Sequence, residues 1–388
     1  MGINGLYPFL KKRVPQAFEK IKLQQLKGTV LAVDASHFLY QAVWFDYNLC
    51  KPVVVTVEDG TDTETTKTVH NGHLKFLLNK IQAFSKYNIK PVFVFDGKAC
   101  DEKGTVLDER RARKEKAMEE IKKIEGLLAS EDSGDSEAAS DDVTIQDLYA
   151  AKKKFVDVSK HHVKDFKVML RNFNIPYFTS YGEAEKTCSI MASQGIVDGV
   201  IADDSDTLPF GTTYVLKDYK DDKKPILKIS LKPILKELKL SHKEFVDMCI
   251  LIGCDFSRPK VTRKYKGDMR TFEKLTPERA YSYIKEHRTL ENVISKISHV
   301  DYDVEAYTRS RQIFLEPYDE SFGKDVIDLK NSYVLDEQRK KDLTKFLIKE
   351  HYLDFKKVQS IINKYYENQH LTKDARQSKI TSFFTYGF

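Results

Sequence analysis

Cysteine is scarce, with 5 in 388 residues, at Cys50, Cys100, Cys188, Cys249 and Cys254. The number is odd and no pair has Cys-x-x-Cys spacing. Neither a disulfide framework nor a thiolate zinc site is expected, and a reducing compartment fits. No apolar run approaches the roughly 18 residues of a membrane span. The start of the chain has no apolar signal core. Leu6 spoils the Met-Gly-x-x-x-Ser/Thr myristoylation pattern. Gly-x-x-x-x-Gly-Lys-Ser/Thr and His-Glu-x-x-His are both absent, so a P-loop NTPase and a zinc-protease helix are excluded. The pair His161-His162 reads as part of an amphipathic helix rather than as metal ligands. No solenoid-type repeat is present. What the chain does have is a sizeable apolar fraction, 41%. That is enough for a real core, and the length suits two or three structural units.

Charge is nearly balanced, at 64 basic and 58 acidic residues for a net +6, but it is unevenly spread. From Ser130 to Asp147 there are seven acids and no base, among Ser, Gly and Ala. Such a stretch reads as a solvated, flexible loop. A basic helical stretch precedes it, with Lys103, Arg110, Arg111, Arg113, Lys114, Lys116, Lys122 and Lys123. A second cluster holds Arg258, Lys260, Arg263, Lys264, Lys266 and Arg270. Grouped positive charge is what a polyanion needs. Either cluster alone reads equally well as a solvated helix face.

Three short apolar runs end in aspartate. Thr29 to Val33 leads to Asp34, Pro91 to Phe95 to Asp96, and Gly199 to Ala202 to Asp203, Asp204 and Asp206. Each has the length and residue types of a strand buried on both faces. Helical patterns lie between them, clearest over Ser36 to Trp44, Leu74 to Tyr87 and Glu183 to Gln194. The alternation predicts an α/β fold with a mainly parallel central sheet flanked by helices. Ligands of such sheets bind beyond the carboxyl ends of the strands. The aspartates would then open into one crevice. Each alone could be a helix cap; three together fit that role less well. In an extended chain Asp204 and Asp206 face the same way and Asp203 points elsewhere.

Further carboxylates follow. Glu183 and Glu185 stand at the start of an apolar helix, where the helix dipole alone would favour them. The apolar segment Phe245 to Ile252 delivers Asp255 just past Gly253. Two like charges ~4 Å apart repel by ~4 kcal/mol at an effective dielectric near 20. A cluster of bare carboxylates therefore calls for cations, and all-oxygen donors select Mg2+ or Mn2+. Two such ions ~3.5–4 Å apart can clamp a phosphodiester.

With these motifs in hand, the sequence resembles the flap endonucleases of the xeroderma-pigmentosum-G superfamily of structure-specific 5′ nucleases. The motifs that carry the resemblance are Met1-Gly2-Ile3-Asn4-Gly5-Leu6, Val33-Asp34-Ala35-Ser36, Val94-Phe95-Asp96-Gly97-Lys98, Gly182-Glu183-Ala184-Glu185, Asp204-Ser205-Asp206 and Gly253-Cys254-Asp255, in the family's order. The resemblance implies a PIN-like 5′ nuclease fold with a helical arch and a helix–turn–helix. It implies two Mg2+ ions, replaceable by Mn2+, on Asp34, Asp96, Glu183, Glu185, Asp204, Asp206 and Asp255. Lys103 and Arg110 would be cationic clamps on the scissile phosphate; their bland alternative is solvated helix surface. Tyr40 would stack on a base, although by itself it reads as core. Gly2 would sit near the DNA junction, and Arg111 would face DNA.

The implied layout is a nuclease region over 1–103 and an arch over 104–165 with the acidic insertion at 130–147. A second nuclease region covers 166–256, and a modified duplex-binding helix–turn–helix covers 257–300. A part packing back on the core spans 301–372, and a tail spans 373–388. Lys274 to Ala280 lacks the family's turn glycines, which puts its K+ site in doubt. Arg258, Lys260, Arg263, Lys264, Lys266 and Arg270 are expected to supply phosphate contacts instead. In the tail, Gln377, Ile380, Phe383 and Phe384 resemble a sliding-clamp-docking motif, whose alternative is packing on its own domain. The expected protein is an intracellular monomer acting on branched or flapped DNA. It would sit in the nucleus, or at a cytoplasmic replication site for a viral member. A 5′→3′ exonuclease or a junction resolvase on the same scaffold is the nearest alternative. A non-cutting DNA-binding protein and a phosphatase-like hydrolase with Asp34 as nucleophile are more distant ones.

Overall fold

The computed structural model describes residues 2–58, 64–97, 104–131, 144, 147–148, 151, 156–265, 268–272, 274–316 and 332–369. The first strands and helices in chain order are α1 (Leu6–Arg13), β1 (Phe18–Ile21), β2 (Val30–Asp34), α2 (Ala35–Leu49), β3 (Val53–Glu58), β4 (Glu64–Val69), α3 (Gly72–Lys86), β5 (Lys90–Phe95) and α4 (Gly104–Glu131). The later strands are β6 (Tyr177–Thr179), β7 (Gly199–Ile201), β8 (Tyr214–Lys217), β9 (Ile226–Ser230), β10 (Lys260–Tyr265), β11 (Asp268–Phe272) and β12 (Val300–Asp301). Seven of them form the central sheet, in the order β1-β9-β8-β7-β2-β5-β6. The run β8-β7-β2-β5-β6 is parallel, while β9 and β1 join antiparallel.

The three central parallel strands, β7, β2 and β5, are largely apolar because both faces are covered. Along β2, Val30 and Ala32 enter one apolar layer, and Leu31 and Val33 enter the other. Along β5, Val92 and Val94 alternate with Phe93 and Phe95 in the same way. The first layer is closed by α1 and by the helices Ala184–Ser193, Leu231–Leu238, His242–Ile252 and Pro277–His287. The second is closed by α2, α3, the helix Lys160–Asn172 and the C-terminal segment through Leu343, Leu347, Ile361 and Tyr365. That segment packs on the core.

Three departures matter. A hairpin, β3–β4, stands between α2 and α3, where the sequence reading placed no element. The helix Lys160–Asn172 starts before the boundary drawn at 165 and belongs to the core, because Asp165, Phe166, Met169 and Leu170 are buried. The basic stretch after Asp255 is a ribbon rather than part of a helix–turn–helix turn. There β10 pairs antiparallel with β11 and, at its root, with β12. The helices His242–Ile252 and Pro277–His287 flank that ribbon.

Candidate metal centre

Parallel pairing of β2 with β5 and β7, and of β5 with β6, brings four strand ends to one edge. Asp34 ends β2 and is buried. Its Oδ1 accepts from the backbone of Ser36 at 2.9 Å and His37 at 3.2 Å. It is thus a helix cap and a crevice carboxylate at once. Burial, then the charge of Asp96, pushes its pKa up to about 7. Asp96 follows β5, and its Oδ1 accepts from the Ala184 amide at 2.9 Å. Its Oδ2 accepts from the Ser36 hydroxyl. Gly97 lets the backbone after β5 approach the next loop. Its amide donates to the Gly182 carbonyl at 2.8 Å, and a Cβ would lie 1.8 Å from the Ser180 oxygen.

Glu183 is the cap residue of the helix Ala184–Ser193, yet its side chain makes no capping bond. Helix-dipole duty alone does not account for that side chain. Glu185 lies one turn before the buried Cys188. Burial, followed by the charges of Asp34, Glu185 and Asp96, raises the Cys188 thiol well above its usual value. That one thiol thus feels two carboxylates from strand ends, Asp34 and Asp96, and one from its own helix, Glu185.

After β7 the chain does not stay extended. Ser205–Thr207 is a 3-10 turn capped by Asp204. The expectation that Asp204 and Asp206 face one way as in a strand gives way to this turn. Asp206 is 1% exposed and accepts from the Ile3 amide at 3.1 Å. Burial first, then Asp206, raises the thiols of Cys249 and Cys254. Asp206 therefore lies beside the helix His242–Ile252, which delivers Asp255 through Gly253 at φ 105°. That helix is fixed by a buried ion pair, Arg311 Nε to Asp247 Oδ1 at 2.7 Å. Asp203 is engaged elsewhere, with the Asp218 amide at 2.9 Å and His37 at 3.4 Å.

The start of the chain completes the crevice. Gly2 has φ +71°, and a Cβ there would meet Asp204 Oδ1 at 1.7 Å. The Ile3 amide also donates to Ser205 Oγ at 2.8 Å. The Tyr7 hydroxyl donates to the Asp204 carbonyl at 2.9 Å. Burial, with help from Asp204, Glu185 and Asp203, keeps that phenol protonated well past its usual range. Ser36, Ile3 and Tyr7 carried no role in the sequence reading. The signal for the first two was adjacency, inside motifs already singled out.

Tyr40 is half-exposed on α2, and the chain's single tryptophan, Trp44, is exposed one turn on. Both line an open groove between α2, α3 and the helix Phe355–Gln369. Tyr40 is therefore not core. Arg111 is exposed on α4, and Arg110 falls on the same helix by its backbone. Lys114 pairs with Asp157 at 2.7 Å. Arg258, Lys260 and Arg270 are exposed, and the backbones of Lys260, Arg263 and Lys264 lie in β10. Lys103, Lys266, the acidic segment over 132–143, and Gln377, Ile380, Phe383 and Phe384 lie outside the described residues.

The donors that meet here are all oxygen, which suits a hard divalent cation. Among the described residues no three His, Cys, Asp or Glu side chains close into a single coordination cage. Asp34, Asp96, Asp204 and Asp206 are instead spread along the crevice. A spread set of this kind suits an ion that keeps several waters, as Mg2+ does.

Comparison with known proteins agrees with this arrangement. The XPG N-terminal domain matches residues 1–117, and the XPG I-region matches 174–255. The class is thus that of the XPG proteins. Flap endonuclease 1 of Caenorhabditis elegans is 30% identical over 326 residues, covering 82% of this chain and 75% of the relative. This chain belongs to the flap endonuclease family. Flap endonuclease 1 of Theileria parva is 30% identical over 368 residues, covering 94% of this chain. The chain spans 65% of the length of that relative and 63% of its Theileria annulata counterpart. Among solved structures, flap endonuclease-1 of Methanococcus jannaschii shares the fold at TM-score 0.57 and 24% identity, covering 92% of this chain and 97% of that one. The Rad2 catalytic core with DNA substrate matches at TM-score 0.56 and 20% identity, covering 94% and 100%.

Proposed function

We propose that this chain is a divalent-cation-dependent, structure-specific nuclease that hydrolyses a phosphodiester at the base of a 5′ flap in branched DNA. The observation that carries the proposal is that Asp34, buried at the end of β2, and Asp96, just past β5, share Ser36 as a donor. Buried carboxylates forced together from separate strand ends are unfavourable unless a cation or a proton joins them. Asp34, Asp96, Glu183, Glu185, Asp204, Asp206 and Asp255 would hold two Mg2+ ions, some through water. When bound, such ions activate a water and stabilise the leaving oxygen of the phosphodiester.

The chain's own groups do the rest. Ser36 and the Ala184 amide fix the Asp96 carboxylate from two sides. Tyr7 and Ile3 hold the turn that carries Asp204 and Asp206. Tyr40 offers a ring face to a base beside the crevice, and stacking of this kind is worth roughly 1–3 kcal/mol per base. Lys103, next in sequence before α4, and Arg110, within it, would supply positive charge as the phosphate becomes more negative. Gln377, Ile380, Phe383 and Phe384 dock the tail on a sliding clamp.

The test is a comparison of flap, nicked, single-stranded and four-way DNA at equal concentration with Mg2+. Flap DNA is expected to be cut fastest near its junction. Asp204→Asn is expected to bind DNA without cutting it. Retained cutting by that variant would overturn the metal assignment. Preferred cutting of four-way DNA would favour a junction resolvase.

A further inference from the structure

We propose that Tyr181 contacts the DNA at the crevice, its ring stacking on a nucleobase next to the phosphate held there. The proposal rests on the nuclease reading for its substrate and deepens it by naming a second ring, besides Tyr40, that holds the reacting strand.

Exposure is the first argument. Tyr181 is 73% exposed, more than any other large apolar side chain among the described residues. Its neighbours, not Tyr181, hold the loop between β6 and the helix Ala184–Ser193. Ser180 is buried, and its hydroxyl bonds the Thr187 hydroxyl at 2.7 Å and the Glu183 carbonyl at 3.2 Å. The Gly182 amide donates to Ser180 Oγ at 3.1 Å. The Ser180 amide donates to the Phe95 carbonyl at 2.8 Å, which ties the loop to the end of β5. Neither core packing nor the anchoring of this loop accounts for the ring.

Pre-organisation is the second argument. Ser180 and Gly182 are both bonded, so the backbone that carries Tyr181 is held on both sides. A tyrosine orders only two side-chain torsions on binding. A ring presented this way loses little freedom to a partner.

Placement is the third. Tyr181 stands two residues before Glu183, at most ~7 Å of extended chain. Its carbonyl carbon lies against Gly97, where a Cβ would stand 2.9 Å from it, and Gly97 directly follows Asp96. In the sheet order β7-β2-β5-β6, Asp204, Asp34 and Asp96 stand at or just past the first three strand ends. The loop of Tyr181 follows the fourth and closes that end of the row. Tyr40 stands on α2, which starts directly after Asp34. A strand with its phosphate over Asp34 and Asp96 carries a nucleoside on either side, and the two rings approach it from different elements.

Chemistry selects the occupant. Asp96 is exposed at this rim, and from Tyr177 to Glu185 the chain holds two acids and no base. An anionic ligand would meet like charge there. A nucleobase is uncharged and offers a flat π-face, which an aromatic ring accepts whatever the sequence.

The test uses the full chain and flap DNA in EDTA, with affinity read by fluorescence anisotropy. Three DNAs are compared: one intact, and two made abasic at one or the other nucleotide beside the flap junction. Tyr181→Ala is expected to weaken binding of intact DNA by about 5- to 150-fold, the range of one base stack. On one of the abasic DNAs that loss is expected to vanish, because the base it depends on is gone. Tyr181→Phe keeps the ring and is expected to bind all three DNAs as the wild type does. An equal loss on all three DNAs, or no loss on intact DNA, overturns the proposal. A loss in Tyr181→Phe as large as in Tyr181→Ala overturns it too, since the hydroxyl and not the ring face would then be the contact. Cleavage of intact flap DNA with Mg2+ is followed in parallel. A base-dependent loss in a protein whose wild type cuts no DNA sinks the nuclease reading and leaves the Tyr181 assignment standing. A wild type that cuts, with Tyr181→Ala binding unchanged, sinks this proposal alone.

Discussion

The Ile3 amide donates to the Asp206 carboxylate at 3.1 Å across 203 positions of sequence. The first residues of the chain are thus a wall of the crevice and hold the turn Ser205–Thr207 in place. Gly2 makes this approach feasible, since any Cβ there collides with Asp204 Oδ1. Gly2→Ala also forces a non-glycine residue to positive φ, which costs of order 1–3 kcal/mol. The expected result is a large fall in single-turnover cleavage with duplex binding retained. Unchanged cleavage would show that this wall plays no part in the reaction.

Ser36 bridges the two carboxylates that matter most, through its amide to Asp34 and its hydroxyl to Asp96. Removing a group that orients a metal ligand typically costs about 10–100-fold in metal affinity. Ser36→Ala should weaken Mn2+ binding by that order in isothermal titration, with the melting temperature of the cation-free protein nearly unchanged.

Asp34 gives a pH dependence of known sign. Its folded pKa of about 7 lies above the ordinary 3.8. The cation-free fold therefore holds a proton that the unfolded chain releases. Its contribution to stability is present at low pH and is lost as pH rises toward 7. A divalent cation replaces that proton. The rise in melting temperature on adding Mg2+ should be larger at pH 8 than at pH 6. An equal rise at both would remove Asp34 from the cation site.

His73 bridges two buried carboxylates, with Nδ1 to Asp46 Oδ2 at 3.3 Å and Nε2 to Asp165 Oδ2 at 2.9 Å. His161, His162 and His351 surround the same point. Burial opposes charge on His73, yet the bonds to Asp165 and Asp46 hold it above its usual value. Burial keeps its neighbour His162 neutral, down to about 4. The stabilisation from His73 is complete below 6.5 and is lost as pH rises through its raised folded value. His73→Gln leaves buried carboxylates without a counter-charge, at a cost of roughly 3–5 kcal/mol. Calorimetry should show the wild-type melting temperature falling with pH on the alkaline side, and that slope should vanish in the variant.

The parallel sheet was legible because strands covered on both faces are continuous apolar runs, and each of the three ended in aspartate. The crevice was legible for the same reason, since strand ends meet on one edge. What stayed hidden depends on pairing that no local pattern records. β10 is too charged to read as a strand, and its core contact rests on Val261. The turn at Ser205–Thr207 is held by the Asp204 carboxylate, the Ile3 backbone amide and the Tyr7 hydroxyl rather than by an apolar period. The node around His73 gathers positions 46, 73, 161, 165 and 351, each unremarkable alone.

One indole in the whole chain stands on α2, one turn beyond Tyr40 and open to solvent. Its emission therefore reports on a single face of the molecule. A base or backbone arriving beside Tyr40 changes the solvent around that ring and its access to quenchers. Occupancy of this groove can be followed in the unlabelled protein, in real time, before any bond in the nucleic acid is broken.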